Sequence, residues 1–204
     1  MRLILYPIII TIALLVVFAE IATPIVQHST PEHTLPVHKT LYVGRDVGQE
    51  EMLHIMEASI EWNRVTNGQV AFDIKKMPQP HVVMADAIVV NNISPDFPEI
   101  ILLDTVKHNS TLGFFNEDWG MGRIALVDER IKEEDYTAVI LHELGHSLGL
   151  QHPDSEDQPL EGVGSLMFSS VDLGSNHITS DDLKQFCKLY HCDSSKFHGV
   201  SKIQ

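Results

Sequence analysis

Residues 142–152 read HELGHSLGLQH, with three histidines and a glutamate inside eleven positions. On a helix, side chains four residues apart project from one face about a turn from each other. His142 and His146 therefore stand at the separation that two imidazole ligands of a single zinc ion require. Glu143 lies beside the first of them, outside the coordination sphere but able to reach a bound water. Gly149 follows three residues after His146, where a glycine can take the left-handed conformation that ends a helix and turns the chain sharply. Such a turn brings His152 back to the same metal. Three nitrogens with an open fourth position are the layout of a catalytic zinc, whereas a structural zinc is usually closed by a fourth protein ligand.

The helix carrying this stretch is expected to begin near Glu133 or Glu134, with acids at its positive end, and to turn Tyr136, Ile140, Leu144 and Leu148 toward the core. Upstream, EEMLHIMEASIEWNRVT at 50–66 predicts an amphipathic helix. It carries Leu53, Met56 and Ile60 on one stripe, has Ile55, Ser59 and Trp62 beside it, and stops at Asn67-Gly68. Trp62, Met52 and Met56 are most simply core at that spacing. Strands are expected at VAFDI (70–74), AIVVN (87–91), TLGFF (111–115) and GRIALVD (122–128), the last two separated by the turn-rich NEDWGM. Beyond a loop from Pro153 to His177, Thr179 followed three residues later by Asp182 opens a third helix with Leu183, Phe186, Leu189 and Tyr190.

The chain has 204 residues and a formal net charge of −14. That length suits one domain, and the acidity argues against nucleic acid and anionic lipid as partners. Residues 3–19, LILYPIIITIALLVVFA, contain no charge and read as a signal peptide or signal anchor, offering possible membrane attachment. With Arg2 on the cytoplasmic side the remainder is exported, either secreted or anchored. Residues 20–40 read as a linker or short pro-segment, and 41–204 as the folded domain. Cys187 and Cys192 form either one local bridge or two free thiols.

HELGHSLGLQH resembles the zinc-binding sequence of the metzincin metallopeptidases, and its GHSLGL wording is closest to the matrixin branch, the matrix metalloproteinases and their relatives. That family has a methionine turn below the zinc, and SLMFSS at 165–170 offers Met167, which would pack beneath the site rather than ligate. ITSDDLKQFCKLY resembles the start of the matrixin C-terminal helix. The similarity covers about 41–191. It implies an α+β, zincin-like fold with a twisted mixed sheet and two helices in an upper part. A smaller lower part holds the methionine turn and the third helix. It also implies a zinc-dependent endopeptidase acting on protein or peptide substrates, with one Zn2+ held by His142, His146 and His152 and Glu143 as general base. Leu112 and Gly113, on an exposed strand edge, would offer backbone hydrogen bonds to an extended peptide.

The sequence departs from the family in three places. TLGFFNEDWGMGRIALVD lacks the histidines of a structural zinc and calcium region, so those sites are not carried over, and no motif supports calcium. No cysteine precedes Cys187 to serve a cysteine-bearing activation peptide. The loop PDSEDQPLEGVGSL is longer than in matrixins; its acids Asp154, Glu156, Asp157 and Glu161 lack regular calcium-ligand spacing and read as solvated surface. The other nine histidines read as surface or loop residues. Two further readings stay open: a catalytically idle binding or assembly protein on this fold, and a zinc amidohydrolase acting on non-protein amides.

Overall fold

The computed structural model describes residues 33–77, 87–95, 111–118, 121–153, 164–169 and 177–197. The apolar leader and the acids at 154–161 lie outside the described residues. Strand β1 spans Val37–Val43, so its first four residues lie in the stretch expected to be linker. Lys39 shares a face with Val37, Leu41 and Val43 and breaks the alternation by which a strand is read from sequence. The strand nevertheless buries those three apolar residues and sits inside the sheet, parallel to neighbours on both sides.

The other strands are β2 (Val70–Lys76), β3 (Ala87–Asn92), β4 (Gly113–Asp118) and β5 (Met121–Leu126). They form one five-stranded sheet in the order β2-β1-β3-β5-β4, parallel except for β4, which runs antiparallel to β5 at the edge. A mixed sheet was expected. The fourth strand differs from expectation in its limits: Thr111 and Leu112 precede it, and Asn116, Glu117 and Asp118, read as part of a turn, continue it. Pairing with β5 overrides the low strand preference of those three residues.

Helix α1 spans Gln49–Val65, with Glu50 and Glu51 at its positive end and Arg64 in its last turn. It ends on the left-handed pair Asn67 and Gly68, and the Thr66 hydroxyl donates to the Trp62 carbonyl at 2.6 Å. The core-facing side of α1 is not the expected stripe. Ile55, Ala58, Ser59, Trp62 and Val65 are buried, whereas Leu53, Met56 and Ile60 are 54%, 44% and 62% exposed. The small residues Ala58 and Ser59 let the helix backbone approach its neighbours beside the buried Ile55 and Trp62, and Leu53, Met56 and Ile60 are left outside. Met52 is half-buried against the core.

Helix α2 spans Tyr136–Ser147 after a short 3-10 turn at Glu133–Asp135, and packs on α1 and on β4. Its expected stripe of Tyr136, Ile140, Leu144 and Leu148 is buried, and so are Ala138, Val139 and Leu141 around it. Helix α3 spans Ser180–Tyr190, opened by the expected capping box between Thr179 and Asp182. Its Phe186 ring meets Trp62 of α1 at 6.3 Å between centroids. Cys187 and Cys192 are disulfide-bonded, which resolves the choice left open by the sequence.

The burial pattern of α1 predicts unequal costs. Trp62→Ala should lower unfolding free energy by about 3–5 kcal/mol, and Leu53→Ser by less than about 0.5 kcal/mol, both measured by urea denaturation. Equal losses would contradict this orientation of the helix.

Candidate metal centre

The sequence places a left-handed residue after α2, and the structure builds a two-bond helix stop there. Gly149 has φ +89°. Its N–H donates to the His146 carbonyl at 2.9 Å, and the N–H of Leu150 donates to the Gly145 carbonyl at 3.1 Å. These are the paired bonds of a Schellman stop, in which glycine avoids the strain a Cβ would bring. Leu150 is fully buried and anchors the reversed chain. Two residues on, His152 faces back toward α2.

The three imidazoles converge. His152 Nε2 lies 3.1 Å from His142 Nε2 and 3.1 Å from His146 Nε2. The other ring nitrogens of the helix pair are directed at backbone carbonyls: His142 Nδ1 lies 2.8 Å from the Leu166 oxygen and His146 Nδ1 2.8 Å from the Leu150 oxygen. A carbonyl only accepts, so each Nδ1 carries the proton and each Nε2 presents a lone pair toward His152. One proton on His152 cannot serve both lone pairs. A cation at the centre satisfies all three at once. Tetrahedral zinc at about 2.0–2.1 Å from each nitrogen would set neighbouring nitrogens about 3.3 Å apart, close to the observed spacing. Among the described residues, His142, His146 and His152 are the group of side chains able to hold a metal ion.

Glu143 is on the same helix, one residue from the first ligand, and is 4% exposed. It lies against the start of the edge strand: a Cβ on Gly113 would meet its Oε1 at 3.3 Å and the Val139 side chain at 3.4 Å. The Leu112 carbonyl accepts from the Val127 N–H at 2.8 Å. Leu112 thus engages its carbonyl with the end of β5, inside the sheet. By the alternation of an antiparallel ladder, Gly113 and Phe115 direct their backbone groups to the open edge.

Met167 is fully buried beneath α2. A Cβ on Gly145 would lie 2.6 Å from its sulfur and 3.5 Å from the Trp62 ring, so only glycine at 145 lets the methionine approach the helix this closely. The turn that holds Met167 is fixed by one carboxylate. Asp182, 1% exposed at the start of α3, accepts from the N–H groups of Leu166 (3.1 Å), Met167 (3.4 Å) and Thr179 (2.7 Å), and from the hydroxyls of Thr179 (2.7 Å) and Ser165. Leu166 in turn orients His142. Sequence reading identified Asp182 only as the acid of a helix cap; its second duty spans fifteen residues of sequence to Met167 and has no local signal.

Fold and site together define a metalloprotease-like chain with three histidines able to hold a metal ion. The matrixin family profile matches residues 59–191, well over half of the sequence, and the chain belongs to the matrixin family. Over 67 residues it is 31% identical to a protein of Spodoptera frugiperda ascovirus 1a named, by inference, as a matrix metalloproteinase; the match covers 33% of this chain and 17% of that relative. Two solved structures are similar to it. High choriolytic enzyme 1, a hatching-enzyme zinc protease from Oryzias latipes, gives a TM-score of 0.48 at 14% identity, covering 77% of this chain and 90% of that one. Archaemetzincin from Methanopyrus kandleri gives 0.45 at 15% identity, covering 74% and 94%. These scores are low, and the family assignment rests on the matrixin match.

Removing the Asp182 carboxylate takes the acceptor from the Leu166 and Thr179 N–H groups and from the Thr179 and Ser165 hydroxyls, and leaves the Met167 N–H with the Ser165 hydroxyl alone. Asp182→Ala should cost about 3 kcal/mol of stability in urea denaturation. Unchanged stability would show that this carboxylate does not hold the methionine turn.

Proposed function

We propose that this chain is an exported zinc-dependent endopeptidase. The observation that carries the reading is the convergence of three imidazole nitrogens beside a buried carboxylate that metal binding does not require. His142, His146 and His152 would hold the ion. Once bound, zinc supplies a Lewis acid and lowers the pKa of a coordinated water toward neutrality.

Glu143 takes the proton of the attacking water and delivers it to the leaving amine. Its burial keeps bulk water from competing for that proton, and its position against Gly113 puts the base next to the strand edge where a substrate lies. An extended peptide adds to β4 through the outward backbone groups of Gly113 and Phe115. The absent Cβ at Gly113 leaves room between this edge and Glu143. Attack by water passes through no covalent enzyme intermediate. Export is supported by the uncharged leader at 3–19 and by the Cys187–Cys192 disulfide, which suits an oxidising compartment.

Proteomic cleavage profiling of the leaderless protein, with and without a chelator, tests the activity and reads its specificity together. Glu143→Gln should retain zinc and lose about 10²- to 10⁴-fold in peptide hydrolysis. His152→Ala should weaken zinc binding and abolish hydrolysis. A wild-type chain that binds zinc yet shows no chelator-sensitive cleavage of peptides would count against this reading and favour a binding role. Cleavage confined to non-protein amides would favour an amidohydrolase.

A further inference from the structure

Two of the three candidate ligands, His142 and His146, are carried by α2, and the backbone hydrogen bonds of that helix fix their separation. His152 stands outside it, on an irregular segment ahead of Pro153, where helical geometry sets nothing. A ligand nitrogen must nevertheless be held to a fraction of an ångström, so something else has to fix the backbone at 151–152. The Gly149 stop reverses the chain and buried Leu150 anchors it, but both act before Gln151.

The Leu150 carbonyl, in the peptide unit that enters Gln151, is paired with His146 Nδ1, and a further restraint comes from α3. The Gln185 side chain accepts from the Gln151 N–H through Oε1 at 2.8 Å and donates to the Gln151 carbonyl through Nε2 at 3.0 Å. The amide of one residue therefore pairs with both backbone groups of another, as a neighbouring strand would. The two bonds grip the peptide units on either side of the Gln151 Cα, restraining the backbone there more than a single bond would. The second of these units joins Gln151 to His152, so holding its carbonyl sets the direction in which His152 leaves the chain. The ring of His152 then meets both helix-borne imidazoles at equal distance, 3.1 Å.

We infer that Gln185 is a positioning residue for the third metal ligand, acting through the backbone of Gln151. The inference rests on the metal-centre reading and adds a residue that touches neither metal nor substrate. The side chain competes with water at the surface, so its effect lies in placement more than in global stability. Outer residues that orient metal ligands typically matter about 10- to 100-fold in metal affinity.

Gln185→Met keeps side-chain length and helix preference while removing donor and acceptor together. Zinc affinity, measured by chelator competition, should fall about 10-fold in Gln185→Met. In the metal-free protein, hydrogen exchange at the Gln151 amide should accelerate, with the amides of α2 unchanged. Lys184→Met, one residue away on the same helix, should alter neither quantity. If wild-type protein binds no zinc, the metal centre itself is wrong. If wild type binds zinc and Gln185→Met binds it equally, with Gln151 exchange unaltered, the positioning role of Gln185 is overturned while the metal centre stands. Uniform acceleration of exchange through α2 and α3 would also overturn it, by showing a general loss of packing.

Discussion

The convergence of three imidazoles, with His152 Nε2 at 3.1 Å from both His142 Nε2 and His146 Nε2, is the constraint around which this structure is arranged. Lone pairs at that distance repel unless a cation lies between them, and holding them there takes restraint from several directions. The α2 helix sets the first two by its pitch. The Leu166 and Leu150 carbonyls fix the proton on each Nδ1 and so turn each Nε2 inward. One of these carbonyls belongs to the methionine turn and the other to the segment that carries the third ligand. The orientation of each helix-borne ligand thus depends on a part of the chain that is itself placed by the site.

Small residues make the convergence sterically possible. At Gly145 the absent Cβ admits the Met167 sulfur to the underside of α2, and the Trp62 ring closes the same space from α1. Trp62 also donates its indole N–H to the Leu141 carbonyl at 3.2 Å, immediately before His142. Helix α3 reaches the site by two routes, through Asp182 to the methionine turn and through Gln185 to Gln151. A third contact, the Tyr190 hydroxyl donating to the Leu148 carbonyl at 3.2 Å, ties its far end to the end of α2. Burial of that phenol pushes its pKa up to about 12, so it stays a donor at any pH near neutrality.

The zinc motif was legible because its chemistry is local: His142, Glu143, His146, Gly149 and His152 lie within eleven residues and obey helix and turn geometry. The capping box of α3 and the left-handed stop of α1 were legible for the same reason. What the sequence concealed depended on partners remote along the chain. Strand β1 has no clean alternation because Lys39 sits on its apolar face, and only its position between two neighbours makes it a strand. The inward face of α1 is only partly legible: Ile55, Ser59 and Trp62, which flank the apolar stripe in the sequence, are buried, whereas Leu53, Met56 and Ile60 on that stripe face outward. Asp182 and Gln185 look like an ordinary cap acid and an ordinary surface amide until the chain folds them against residues 166–167 and 151.

The third ligand shows how narrowly such a site is held. Ordering the backbone of residues 149–152 costs about 1–2 kcal/mol each, hence about 4–8 kcal/mol in all. Burying Leu150 returns about 2–3 kcal/mol, the two bonds of the helix stop about 1 kcal/mol each, and the Gln185 pair, exposed to water, about 1 kcal/mol together. These terms nearly cancel. Without metal these contacts leave the segment bearing His152 near balance between order and disorder, and metal binding would tip it toward order, because ligands that are ordered on binding take up part of the binding energy. The helix-borne pair carries no such cost, since α2 is set by its buried stripe. Affinity for the ion is accordingly most sensitive at the ligand that lies outside the helix, and the residues that hold its backbone matter in proportion.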